Sequence, residues 1–197
     1  MNRIVFAISI LASSAIVGAQ PIPSPINQTQ IAELIEALYK QPWPGAENRG
    51  NPTYWEFNFT DPMKQLLDIG PAAQEPLLTK VFDLEIADQI IILLGGVGDE
   101  RSVGPIIEAM TSASAESSTI RRKRTLTAGN LALTNITVAD VIWHHGGGIT
   151  VDACPNDPAG CWSSWWERNK AGFRVRDIAQ SRRYVNYPNY GVYRGLP

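Results

Sequence analysis

The sequence predicts an all-α fold: a short right-handed α-solenoid of about three helix pairs with a capped C-terminal end. Three observations lead there. Apolar residues recur at i, i+3, i+4 and i+7 in successive short segments, each marking one face of a helix. Pro76-Leu77-Leu78 is echoed by Pro105-Ile106-Ile107, and at the same offset Val81 falls on Met110. Trp162, Trp165 and Trp166 lie at i, i+3 and i+4, one apolar face near the end of the chain. Helices this short are marginal alone in water, and their apolar stripes need neighbours, so the units must stack.

Residues 1–19, MNRIVFAISILASSAIVGA, carry one charge, Arg3, then an apolar run, then the small residues Gly18-Ala19. That pattern predicts a signal peptide and a secreted or periplasmic chain starting near Gln20, with a retained anchor as the alternative. Removing the segment takes one of 17 basic residues and none of 19 acidic ones, for a formal charge of −3. That is not the balance of a general nucleic-acid binder. No later apolar run is long enough to span a bilayer.

Residues 20–28 are a proline-rich, extended lead-in, and Thr29 is the expected cap of the first helix. Ile31, Leu34, Ile35 and Leu38 form its apolar face, and Pro42 and Pro44 stop it. Residues 41–60 are too rich in Pro, Gly and Asn for a long helix. They read as a structured insertion anchored by Trp43, Tyr54, Trp55, Phe57 and Phe59. Met63, Leu66 and Leu67 mark the next helix, which ends at Gly70, and Pro71 opens another whose Leu77, Leu78 and Val81 face inward. Ala87, Ile90, Ile91 and Leu94 repeat the pattern, as do Val103, Ile106, Ile107 and Met110. LALTNIT, 131–137, is a looser echo of LLGGVG, 93–98. The repeat domain thus covers 29–142. Residues 143–173 hold a Gly-rich loop, a cysteine loop and a cap helix in which Asp157 is the N-cap and Pro158 the first helical residue. Residues 174–197 form a Tyr-rich tail.

DIGPAAQEPLLTKV followed by IADQIIILLGGVGDERSVGPIIEAM resembles two successive HEAT-like helical repeats, of the short type also found in phycobilin lyases. The resemblance spans about residues 62–112 and is weak elsewhere. It implies a G-D pair ending one helix and starting the next, and a Pro-aliphatic-aliphatic unit packing the second helix. The closing W-x-x-W-W looks like the end-cap of some bacterial HEAT-like proteins.

Cys154 and Cys161 bracket CPNDPAGC and are the only cysteines; in an exported chain they are expected to form a structural disulfide. A loop this small contributes about 2–3 kcal/mol on the chain-entropy account. GGVGDERSVG lacks both the third glycine of a dinucleotide fingerprint and the Lys-Ser/Thr of a P-loop. Asp99 is expected at the N-cap, where an anion would otherwise sit. WHHGGG, 143–148, resembles an oxyanion loop, but no G-x-S-x-G accompanies it, and His144 and His145 are the only histidines. Asp83, Glu85, Asp88, Asp99 and Glu100 are expected mostly on solvent faces or caps.

The candidate partner-binding residues are therefore surface ones. Arg121, Arg122 and Arg124 of the RRKR run are expected at the solvated start of a helix, partly neutralised by neighbouring acids, or as a patch for an anionic partner. Glu100 and Arg101 lie at the glycine turn. Tyr184, Tyr187, Tyr190 and Tyr193, three apart, would line one edge of a polyproline-like chain, as a stitch onto the stack or as a recognition strip. These features together predict an exported interaction or scaffold module with a protein partner, no cofactor and no catalysis. The alternative is a ligand-binding or lyase-like protein with a site near the aromatic insertion and the His144-His145 loop. No metal site and no oligomeric state are read from the sequence.

Overall fold

A computed structural model describes residues 25–47, 56–137 and 157–173. The all-α expectation holds for them: helices dominate, with one short two-stranded ribbon. Helix α1 (Pro25–Leu38) starts ahead of the expected cap at Thr29. Pro25 stands in its first turn, where a missing N–H breaks no helical hydrogen bond. In the insertion, β1 (Ala46–Glu47) pairs antiparallel with β2 (Glu56–Phe57). Trp43, Phe57 and Phe59 anchor it, all buried and joined edge-on at 6.4 and 5.5 Å. Tyr54 and Trp55 lie outside the described residues.

Helix α2 (Asp61–Ile69) ends at Gly70, whose φ of 74° with ψ of −142° is a backbone conformation open to glycine and rarely adopted by other residues. A 3₁₀ turn over Gly70–Ala73 leads into α3 (Gln74–Leu78), so Pro71 opens the turn rather than the helix. Helix α4 (Ala87–Val97) is followed by a 3₁₀ turn over Glu100–Ser102 and by α5 (Val103–Ser114). The offset that carries Pro76 onto Pro105 also carries Pro71–Ala73 onto Glu100–Ser102, so helix, 3₁₀ turn and helix recur in the register read from the sequence. Within that register Ala73 and Ser102, Leu77 and Ile106, and Val81 and Met110 are all fully buried.

Helix α6 (Thr119–Thr137) is one long element. It packs along α4, which also touches α2 and α3, while α5 contacts α6 and the final helix. The single apolar stripe expected for α4 is therefore too narrow. Every residue from Ala87 to Val97 is buried, because neighbours cover α4 on all sides. Within that contact, buried Asn135 of α6 donates to the Gly95 carbonyl of α4 at 2.8 Å. Gly129 lets the backbone of α6 approach α5: a Cβ there would meet Met110 Cγ and Sδ at 2.4 Å.

The cap helix, α7 (Pro158–Asn169), begins as expected. Asp157 accepts from the Gly160 N–H at 2.9 Å, and Pro158 is in the first turn. Trp162 and Trp165 are buried, in a helix packed on α5 and α6, and Trp162 Nε1 donates to Asn130 Oδ1 at 3.1 Å. Trp165, Trp166 and Phe173 form an aromatic cluster at the end of the helix. The Cys161 sulfur is not a free thiol, and Cys154 lies outside the described residues. So do residues 1–19, His144, His145 and the four tail tyrosines.

Candidate functional site

Three elements converge where α6 begins. Ser118 fixes that start: its Oγ accepts from the Arg121 N–H at 3.4 Å, the cap of the first turn. With the phase of α6 set, Arg124 turns inward. Its Nε donates to Asp88 Oδ2 at 2.7 Å, and its Nη2 donates to the Trp43 carbonyl of the insertion. Asp88, in the first turn of α4, is only 7% exposed. Asp88 is therefore buried rather than solvent-facing, and Arg124, whose side chain stays 39% exposed, pairs its charge with this carboxylate. Burial pushes the Asp88 carboxyl above its ordinary range, and the Arg124 charge and hydrogen bond only partly offset this.

The rest of the basic run divides. Arg121 and Lys123 are exposed, while half-buried Arg122 donates to the Glu116 carbonyl at 3.3 Å. Glu85, Asp88, Ser118, Ile120, Arg121 and Arg124 enclose an open groove of about 250 Å³. Ile120 is 76% exposed on its rim. Phe82 and Leu84, in the connection that carries Glu85, are 50% and 42% exposed. The connection reads Phe82-Asp83-Leu84-Glu85, apolar and acidic in alternation.

A phenol anchors the same connection beside the end of α1. Tyr39 Oη donates to Asp83 Oδ2 at 2.5 Å, and the Lys80 ammonium lies 5.9 Å from the Tyr39 ring centroid. The Tyr39 hydroxyl is pushed up to about 12. The bond to Asp83 is the main cause, followed by burial and the nearby charges of Asp83, Glu36 and Glu85. Glu36, Asp83 and Glu85 thus form one acidic neighbourhood beside the exposed apolar side chains.

The glycine turn holds a different arrangement. Asp99 caps the second 3₁₀ turn, accepting from the Arg101 N–H at 3.0 Å. Gln74 Nε2 donates to Asp99 Oδ1 at 2.7 Å and to Ser102 Oγ at 3.2 Å. Arg101 reaches Asp99, Gln74 Oε1 and Glu75 across the two turns. Burial raises the Asp99 carboxyl, but the bonds from Arg101 and Gln74 outweigh it and hold the group below its ordinary range. Arg101 thus links the two turns while its side chain stays exposed, as does that of Glu100.

Chemically, the groove sets carboxylates and guanidiniums beside a hydroxyl and an exposed aliphatic edge. Among the described residues no three His, Cys, Asp or Glu are grouped to hold a metal ion, and no helix is long and apolar enough to cross a membrane. Reading the sequence missed Phe82, Leu84 and Ile120. Their signal was present in the FDLE alternation between two helices, and in an isoleucine set beside RRKR. No protein-family model matches the chain, and no curated protein or solved structure matches it.

Proposed function

We propose that this chain is an exported HEAT-like repeat protein, a short right-handed solenoid that binds a partner protein and performs no chemistry of its own. The repeat reading is supported by the two helix–3₁₀–helix units in one shared register, with the next helix, α6, laid along α4. Stacked helical repeats present extended surfaces on which a partner can lie. One observation carries the binding role: Phe82, Leu84 and Ile120 are exposed large apolar residues, two in the acidic connection and one on the groove rim. Such a surface, rimmed by charge, is what a partner desolvates on binding. On this reading residues 1–19 are removed, and Cys154 pairs with Cys161 to fix the start of the cap.

The test is crosslinking in the native exported fraction, with the wild-type chain beside Ile120→Asp and Phe82→Asp. Both side chains are exposed, so unfolding does not cloud the comparison. A partner crosslinked to the wild type and lost from both variants supports the reading. Crosslinks indifferent to both changes, or a bound small molecule with no protein partner, would sink it.

A further inference from the structure

The acidic connection and groove have a complement within the same chain. Residues 174–197 hold five arginines against one aspartate, a charge of +4, so positions 1–173 carry −6 against the net −2 of the whole chain. The tail is also the chain's tyrosine-rich segment, with Tyr184, Tyr187, Tyr190 and Tyr193 following the Arg182-Arg183 pair. On the folded side, Glu36, Asp83 and Glu85 share one neighbourhood, and Phe82, Leu84 and Ile120 are exposed around it. Basic and aromatic on one side meets acidic and aliphatic on the other.

We propose that this acidic, apolar face is the docking site of the chain's own tail, residues 174–197, which covers it in cis until a partner displaces it. Arg182 and Arg183 answer the carboxylates of the connection, Glu85 first, since Asp83 is already held by Tyr39. The tyrosines then lay ring faces over Phe82, Leu84 and Ile120, where a phenol adds apolar area and keeps its hydroxyl in water. Reach is no obstacle. Phe173 packs on Trp165 and Trp166 at 6.1 and 5.3 Å, and the whole of 174–197 follows it. Extended, that segment spans about 80 Å, more than the width of a domain of this size. The attraction is between exposed charges, so it weakens with salt.

Tail docking rests on this surface being the binding face assigned above, and the experiment reads the tail directly. In the full chain, a photo-crosslinking p-benzoylphenylalanine replaces Phe82, and the crosslinked peptides are mapped by mass spectrometry. The expected product is a monomer crosslinked to residues within 174–197. Its yield falls several-fold with Glu85→Lys, falls likewise with Arg182→Glu and Arg183→Glu together, and recovers when all three are combined. Crosslinks outside 174–197, a crosslinked dimer, or a yield indifferent to the charge changes would each overturn cis docking. If the tail fails to crosslink while Ile120→Asp still abolishes partner capture, cis docking falls and the partner reading stands.

Discussion

Gly129→Ala is the sharpest test of how α6 meets α5. In an exposed helix interior the change stabilises by about 1 kcal/mol, because alanine is the better helix former. Here the new Cβ would stand 2.4 Å from both Cγ and Sδ of Met110 and 3.3 Å from its Cε. Ordinary carbon contacts begin near about 3.5 Å, so the methionine has to move by about 1 Å. Met110 is fully buried and has no solvent to move into. Overpacking of this kind costs about 1–3 kcal/mol, which exceeds the helical gain over most of its range. The expected result is a net loss of about 1 kcal/mol, or a melting temperature lower by about 2–4 °C for a chain of this length. Urea unfolding of Gly129→Ala, Met110→Ala and the double variant measures it. Met110→Ala alone costs about 2–5 kcal/mol by cavity formation. The double variant should lose less than the sum, since the added methyl refills part of that cavity. A more stable Gly129→Ala, or strict additivity, would refute the close approach of the two helices.

Other expectations follow from the same contacts. Trp162→Phe keeps most of the buried apolar area but leaves Asn130 Oδ1 without its donor, and is expected to cost about 1–3 kcal/mol by chemical unfolding. Arg124→Met strands the buried Asp88 carboxylate and should cost about 3–5 kcal/mol, whereas Arg124→Met with Asp88→Leu recovers most of it; a double variant that loses the sum of the two single losses would show the pair is not coupled. Because the Tyr39 hydroxyl is raised from 10.0 to about 12, its contribution is complete below pH 10 and is lost as pH rises through 12. Wild type should therefore lose stability more steeply than Tyr39→Phe over that window, and parallel curves would contradict the Asp83 contact. Intact mass under non-reducing conditions should show two hydrogens fewer than the free-thiol chain, and Cys154→Ser should destabilise by about 2–3 kcal/mol.

Local pattern carried much of this molecule. The i, i+3, i+4 spacing located the helices, the Pro-aliphatic echo set the register of the two units, and Asp157-Pro158 marked the start of the cap. These signals are short-range, and the chemistry of a cap or an apolar face is complete within a few residues. The same holds for Asp99, whose side chain closes a turn made by its own neighbours.

What the sequence could not decide was which charges would be buried and which apolar groups exposed. RRKR reads as four equivalent cations, yet only the fold brings Asp88 of α4 and the Trp43 carbonyl of the insertion, both distant in the chain, against Arg124. Arg101 stays a surface charge, yet only the fold brings Gln74 and Glu75 of α3 to its guanidinium. Phe82, Leu84 and Ile120 would pass for core residues by type and are exposed because no described element covers them. Periodicity determined that helices would form and stack. The tertiary contacts decided the candidate site, because desolvation and charge pairing depend on partners distant in sequence, and no local pattern encodes them.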